Sequence, residues 1–184
     1  LSLEPGVAEK LEARHRGATW LAARKIEYAA EADPVEICYQ RGWTDGLPVT
    51  PPTDARVIAM LKGTARKPDE IVGRIPPNLA ECTIEKVAIN AVMAGCRPEY
   101  MPVLLAAIDA ALEPVFTLHG VLATTYFSSP VIIVNGPVAR RIGMNSGINA
   151  LGQGNRANAT IGRALNLIVR NVGGGRPGEA DRAT

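Results

Sequence analysis

Between Thr83 and Leu112 the chain reads as two apolar helices in succession, and any fold must bury them. Ile84, Val87, Ala88, Ala91 and Val92 recur at i, i+3, i+4, i+7 and i+8, the spacing of one helical face. Thr83 stands where a helix opens, and Gly95 stands where a left-handed residue closes one. The second helix opens at Pro98 or Pro102 and runs to about Leu112.

Around this pair the chain alternates strand and helix. Residues 7–32 read as an amphipathic helix with a thin apolar stripe and charges of both signs, an arm that packs on a partner rather than a domain. Asp33-Pro34 marks a boundary, with Asp33 as cap and Pro34 at the first position of a short helix through Tyr39. The stretch 41–53, RGWTDGLPVTPPT, has the Gly and Pro content of an ordered loop, and Thr53 then opens a helix to about Lys62. Glu70–Ile75 reads as a strand ended by Pro76-Pro77. The segments 115–126 and 130–135 read as two more, the apolar run at 131–134 suggesting burial on both faces. A turn at Pro137–Ile142 and a final helix from about Asn158 to Asn171 complete the pattern. The expected fold class is α/β or α+β, helices layered on a small mixed sheet, with an arm at 1–33 and one compact domain at 34–184.

Bulk properties narrow the function classes. A net charge of +2 with 4% aromatic residues offers neither the charge nor the stacking platform of a nucleic-acid binder. The longest apolar runs, 103–108 and 130–134, fall far short of the roughly 20 residues that span a membrane. The N-terminus lacks the pattern of a signal peptide. Three unclustered cysteines at 38, 82 and 96 argue against a disulfide framework and for the reducing cytoplasm. The start at Leu1 and the end at Thr184 fit a fragment or a processed subunit.

The stretch 143–175 is a Gly/Asn-rich loop feeding an apolar helix. Gly152 and Gly154 let backbone approach a ligand, and the helix start near Asn155 and Asn158 offers N–H groups at a positive dipole end. No Asp or Glu occurs between Pro114 and Gly178, whereas six arginines do. Arg156 with the N–H groups beside it, through Thr160, therefore suits a carboxylate or phosphate on a small-molecule substrate. Asp45 and Trp43 join the candidate binding residues from the 41–53 loop; Asp45 before Gly46 also fits a tight turn, and Trp43 a core anchor. Arg163 and Arg170, seven apart, share a helix face that suits an acidic partner or the glutamates of the 7–32 arm.

The segments GWTDGLPVTPPT at 42–53, NAVMAGCRPEYMPV at 90–103 and GNRANATIGRA at 154–164 together resemble a bacterial family associated with the UGSC-type thiol or selenol proteins. The resemblance covers most of residues 34–178. It implies a bacterial cytoplasmic enzyme, thiol-based, working with a second polypeptide or a further carboxy-terminal segment, this chain being the amino-terminal portion.

Cys96 is the candidate nucleophile, because it lies in the turn between the two helices and Arg97 or the next helix's N-terminus lowers a thiol's pKa. Glu99 complements that helix start, and His119, the one histidine inside the domain, is the candidate base. No paired Cys/His spacing builds a metal site, and no motif names a cofactor. Two functions follow: a cysteine-dependent enzyme acting on an anionic small molecule by redox, lyase or hydrolase chemistry, or a non-catalytic subunit in an oligomer whose partner chain carries the active site.

Overall fold

The computed structural model describes residues 21–183, and within them helices surround one small antiparallel hairpin. In chain order these are α1 (Pro34–Gln40), α2 (Asp54–Leu61), β1 (Ile71–Ile75), β2 (Ala80–Thr83), α3 (Ile84–Ala94) and α4 (Met101–Leu112). α5 (Leu118–Ala123), α6 (Pro137–Arg141) and α7 (Arg156–Ile168) follow. This is the expected layered α+β class, its sheet reduced to two strands. No single helix among the described residues is long and apolar enough to cross a membrane.

The core is helical because α3 is apolar almost all round: Ile84, Val87, Ala88, Ala91, Val92, Met93 and Ala94 are all buried. Its ends are chemically marked. The Thr83 hydroxyl accepts a hydrogen bond from the Lys86 amide, and Gly95 stops the helix at φ 87°. There the Gly95 and Cys96 amides donate to the Val92 and Ala91 carbonyls, the paired closure that a left-handed residue permits. α7 lies along α3 and buries Ala157, Ile161, Ala164, Leu165, Leu167 and Ile168. α4 contributes Met101, Leu104 and Ile108 and packs on both β1 and α7.

In the hairpin Ile75 faces Ala80 and Gly73 faces Cys82, with an irregularity between Ile71 and Gly73. After α7 the helix widens into a π turn, Val169–Gly173, that docks on the hairpin loop. The Asn78 amide donates to the Gly173 carbonyl at 3.0 Å. A Cβ at Gly173 would lie 2.2 Å from the Pro76 carbonyl oxygen, so only glycine admits this approach.

Three expectations change. The arm helix expected over 7–32 falls partly outside the described residues, and residues 21–29 are irregular rather than helical. The reason is local: the amides of Ala22 and Ala23 donate to the Glu85 carboxylate instead of to carbonyls of their own segment. The stretch 115–126 is not a strand but a 3-10 turn, Pro114–Phe116, followed by α5. Thr117 turns the chain through the left-handed region at φ 49°, which lets Leu118 and Leu122, four apart, bury on one helical face. The stretch 130–135 keeps a strand's alternation but pairs with nothing among the described residues.

Candidate functional site

The 41–53 loop is held down by α7 and its extension. Arg163 donates from Nε and Nη2 to the two Asp45 carboxylate oxygens, at 2.7 and 2.8 Å, and from Nη2 to the Pro48 carbonyl at 2.9 Å. Hydrogen bonding from Arg163 holds the Asp45 carboxyl below its ordinary range, and the same bond raises the guanidinium. Arg170 Nε donates to the Gly42 carbonyl at 3.1 Å, and the Asn171 side-chain amide donates to the Trp43 carbonyl at 3.0 Å. The two arginines on one face therefore meet this loop. Asp45 serves as the anchor of a turn whose Leu47 amide also bonds its carboxylate.

The 143–155 loop is built by asparagines. Asn155 caps α7, its Oδ1 accepting from the Asn158 amide at 3.0 Å, while its Nδ2 donates to the Gly143 carbonyl at 2.7 Å. Asn158 spends its whole amide on the loop: Oδ1 accepts from the Asn145 amide, and Nδ2 donates to the Asn145 and Ala150 carbonyls. Asn158 is thereby a loop brace rather than a ligand group. Gly154 sits at φ 108°, and the Cβ position of Gly152 is filled by the Asn149 side chain. The result is a fixed loop whose Ile148 and Leu151 are 97% and 98% exposed.

Cys96 lies against α7, 7% exposed, its Sγ donating to the Thr160 carbonyl at 3.3 Å. Burial pushes the thiol's pKa up, outweighing the opposing bond to Thr160 and the nearby charge of Arg156. That is the reverse of the depression expected for a nucleophile. Arg156, not Arg97, is the adjacent cation; its Nε donates to the Gly95 carbonyl at 2.8 Å. The Thr160 hydroxyl turns back to the Arg156 carbonyl at 2.8 Å. Although the chain becomes helical at Pro98, first as a 3-10 turn, the side chains of Arg97 and Glu99 are exposed and form no hydrogen bond or ion pair among the described residues. His119 is exposed within α5, with no bond linking it to Cys96. The four expected catalytic residues are thus not gathered into one site. Arg156, Cys96 and Thr160 are.

A second feature lies on the opposite side of α3. A cleft of about 630 Å³ is lined by Trp43, Ile37, Cys38, Ile89 and Met93, and by the described part of the arm. Two of its polar groups are almost fully buried. Glu85 accepts the Ala22 and Ala23 amides at 2.9 Å each, and Asn90 accepts from Asn171 Nδ2 at 2.8 Å while donating to the Lys86 carbonyl. Of the expected site residues only Trp43 borders this cleft. Glu85, Asn90 and Asn171 escape the sequence reading because a polar residue inside an apolar helix carries no partner information. Among the described residues no three His, Cys, Asp or Glu side chains converge as metal ligands.

No family model, curated protein or solved structure matches this chain.

Proposed function

We propose that this chain is a subunit without a catalytic centre of its own, acting with a second polypeptide that carries the active site of a bacterial enzyme for an anionic small molecule. One observation carries the reading: the 143–155 loop is braced by four asparagine side-chain bonds, yet displays Ile148 and Leu151 almost wholly to solvent. Apolar side chains held rigidly outward are a contact surface waiting for its partner. At the start of α7, Arg156 presents a guanidinium whose terminal nitrogens are not used by the described residues, suited to a carboxylate or phosphate. The resemblance of the 42–53, 90–103 and 154–164 segments to the UGSC-type proteins supports the same division of labour, and three unpaired buried thiols fit a reducing compartment.

The test is tagged expression from the native genomic setting, with and without Leu151→Asp. The reading expects one second polypeptide in fixed stoichiometry, activity only in the complex, and loss of both with Leu151→Asp while the isolated chain keeps its melting temperature. Activity in the purified chain alone overturns it. The thiol-enzyme reading has one observation in its favour, the Arg156 charge beside Cys96. It requires fast alkylation of Cys96 by iodoacetamide at neutral pH, whereas the subunit reading expects slow reaction that accelerates only above the ordinary thiol range.

A further inference from the structure

We propose that the cleft beside α3 binds a small molecule with an amidinium or guanidinium head and an apolar body, which goes beyond the subunit reading and concerns a different surface from the 143–155 loop. Glu85 carries the proposal. Its side chain borders the cleft and is only 3% exposed, and no lysine, arginine or histidine among the described residues stands within ion-pair distance of it. A carboxylate shielded from water needs a compensating charge or a full set of donors. Here it has two donors.

Both are backbone amides. Ala22 gives its N–H to one carboxylate oxygen and Ala23 to the other, each at 2.9 Å. An ionised carboxylate has about four acceptor positions, so each oxygen keeps one that no described residue uses. A planar cation with several N–H donors answers that arrangement in geometry as well as charge, better than the point charge of an ammonium. The nearest cations of the chain are turned elsewhere. Lys25 pairs with Asp54, and Lys86 Nζ donates to the Glu81 carbonyl at 2.6 Å. Arg24 is exposed, and its side chain forms no hydrogen bond or ion pair among the described residues.

The rest of the cleft fits the body of such a ligand. Its volume of about 630 Å³ lies within the range of small-molecule sites, roughly 300–1,000 Å³. Ile37, Trp43, Ile89 and Met93 line it with apolar surface. Its walls are already held in place: Asn90, also 3% exposed, is tied to Asn171 and to the Lys86 carbonyl, and the Arg41 guanidinium lies over the Trp43 ring, 5.5 Å from its centroid. Side chains fixed before binding cost little ordering on binding.

The experiment uses the whole chain with benzamidine as the probe, an amidinium carried on an aromatic ring. Calorimetric titration should show saturable one-to-one binding. Neutral benzamide should bind about 10- to 100-fold more weakly, the loss of charge-assisted bonding, and anionic benzoate should give no heat of binding. Glu85→Gln, which keeps the side chain's shape and removes its charge, should weaken benzamidine by a similar factor, whereas Asp69→Asn, at an exposed carboxylate outside the cleft, should leave it unchanged. No saturable binding, equal affinity for benzamidine and benzamide, or equal losses in the two variants overturns the proposal. Photolabelling of the unmodified chain gives a reading that does not depend on how a variant folds. An aryl azide bearing an amidinium should mark peptides containing residues 37–43 and 89–93, and excess benzamidine should protect them. Labelling confined to other peptides, or indifferent to benzamidine, sinks the idea. Neither measurement touches the loop proposed to meet a second polypeptide, so failure here leaves that reading standing.

Discussion

Residues 84–112 and residues 114–151 are both rich in apolar side chains, and the chain treats them in opposite ways. In the first, Ile84, Val87, Met101, Leu104 and Ile108 are wholly or almost wholly enclosed by α2, α7 and the hairpin. In the second, Val115, Tyr126, Phe127, Val131, Ile133, Ile148 and Leu151 stand in solvent. Hydrophobic content alone does not decide burial; the decisive difference is whether the same chain supplies a second face at the right spacing. α3 finds one in α7, whose own apolar residues at 157, 161, 164, 165 and 168 follow the helical period. The 131–135 run finds one only for Ile132 and Val134, and its other face meets nothing among the described residues.

The largest effect that tests this contrast lies in the core. Leu167→Ala should cost about 2–5 kcal/mol in urea unfolding, because the residue is fully enclosed and the truncation leaves a cavity. A loss below about 1 kcal/mol would mean that α7 is loosely packed and that the two regions differ less than their burial implies.

The same contrast explains what the sequence discloses. Helices with both caps and a full apolar face are legible: Asp33 and Pro34 open α1, Thr83 opens α3, Gly95 closes it, and β1 lies within the expected 70–75. β2 is missed because its four residues, Ala80–Thr83, lie between a proline turn and the cap of α3, too short to show a period. The run at 131–134 reads as buried on both faces from composition, whereas the structure covers one. At the candidate site, periodicity exposes Arg163 and Arg170 as a pair but cannot reveal that Asp45, 118 residues earlier, is the acidic group that Arg163 meets. Nor can a neighbouring Arg97 disclose that Cys96 is shielded; that depends on Thr160, which arrives from α7.

Removing the anchor between α7 and the 41–53 loop should have the next largest effect. Arg163→Ala deletes a paired bond to Asp45 and bonds to the Leu47 and Pro48 carbonyls, a loss of about 1.5–3 kcal/mol for charge-assisted bonding at a partly covered site. Its pH dependence has a definite sign. Asp45 is held below its ordinary pKa in the folded chain, so its contribution is present above the unfolded value near 3.9 and is lost as pH falls through the lowered one. Wild-type stability should therefore drop in that acid window, and Arg163→Ala should flatten the drop. An unchanged acid limb would place the anchor's strength in the carbonyl bonds instead.

Cys96 offers a smaller change, at the point where the end of α3 meets Thr160 of α7. Cys96→Ser keeps a donor for the Thr160 carbonyl and should shift stability by only about 1 kcal/mol, a single neutral hydrogen bond's worth. Native-state alkylation should find none of the three thiols fast at neutral pH. Burial raises Cys38, Cys82 and Cys96 alike, Cys82 to about 11. A rapid phase assigned to Cys96 by peptide mapping would reverse the assignment of this site from structural to chemical.

The smallest expected effect is in the 131–135 run, and it is informative because it is small. Ile133→Thr removes an exposed aliphatic side chain but keeps the β-branching that favours extended backbone. Measured at concentrations where the chain is monomeric, the change should stay within about 0.5 kcal/mol, as for surface positions without partners. Urea melts of wild type and variant at low concentration check this. A substantial loss at low concentration would show that Ile133 is covered within the monomer, and the contrast between the enclosed helices and the exposed run would then disappear at its most distinctive residue.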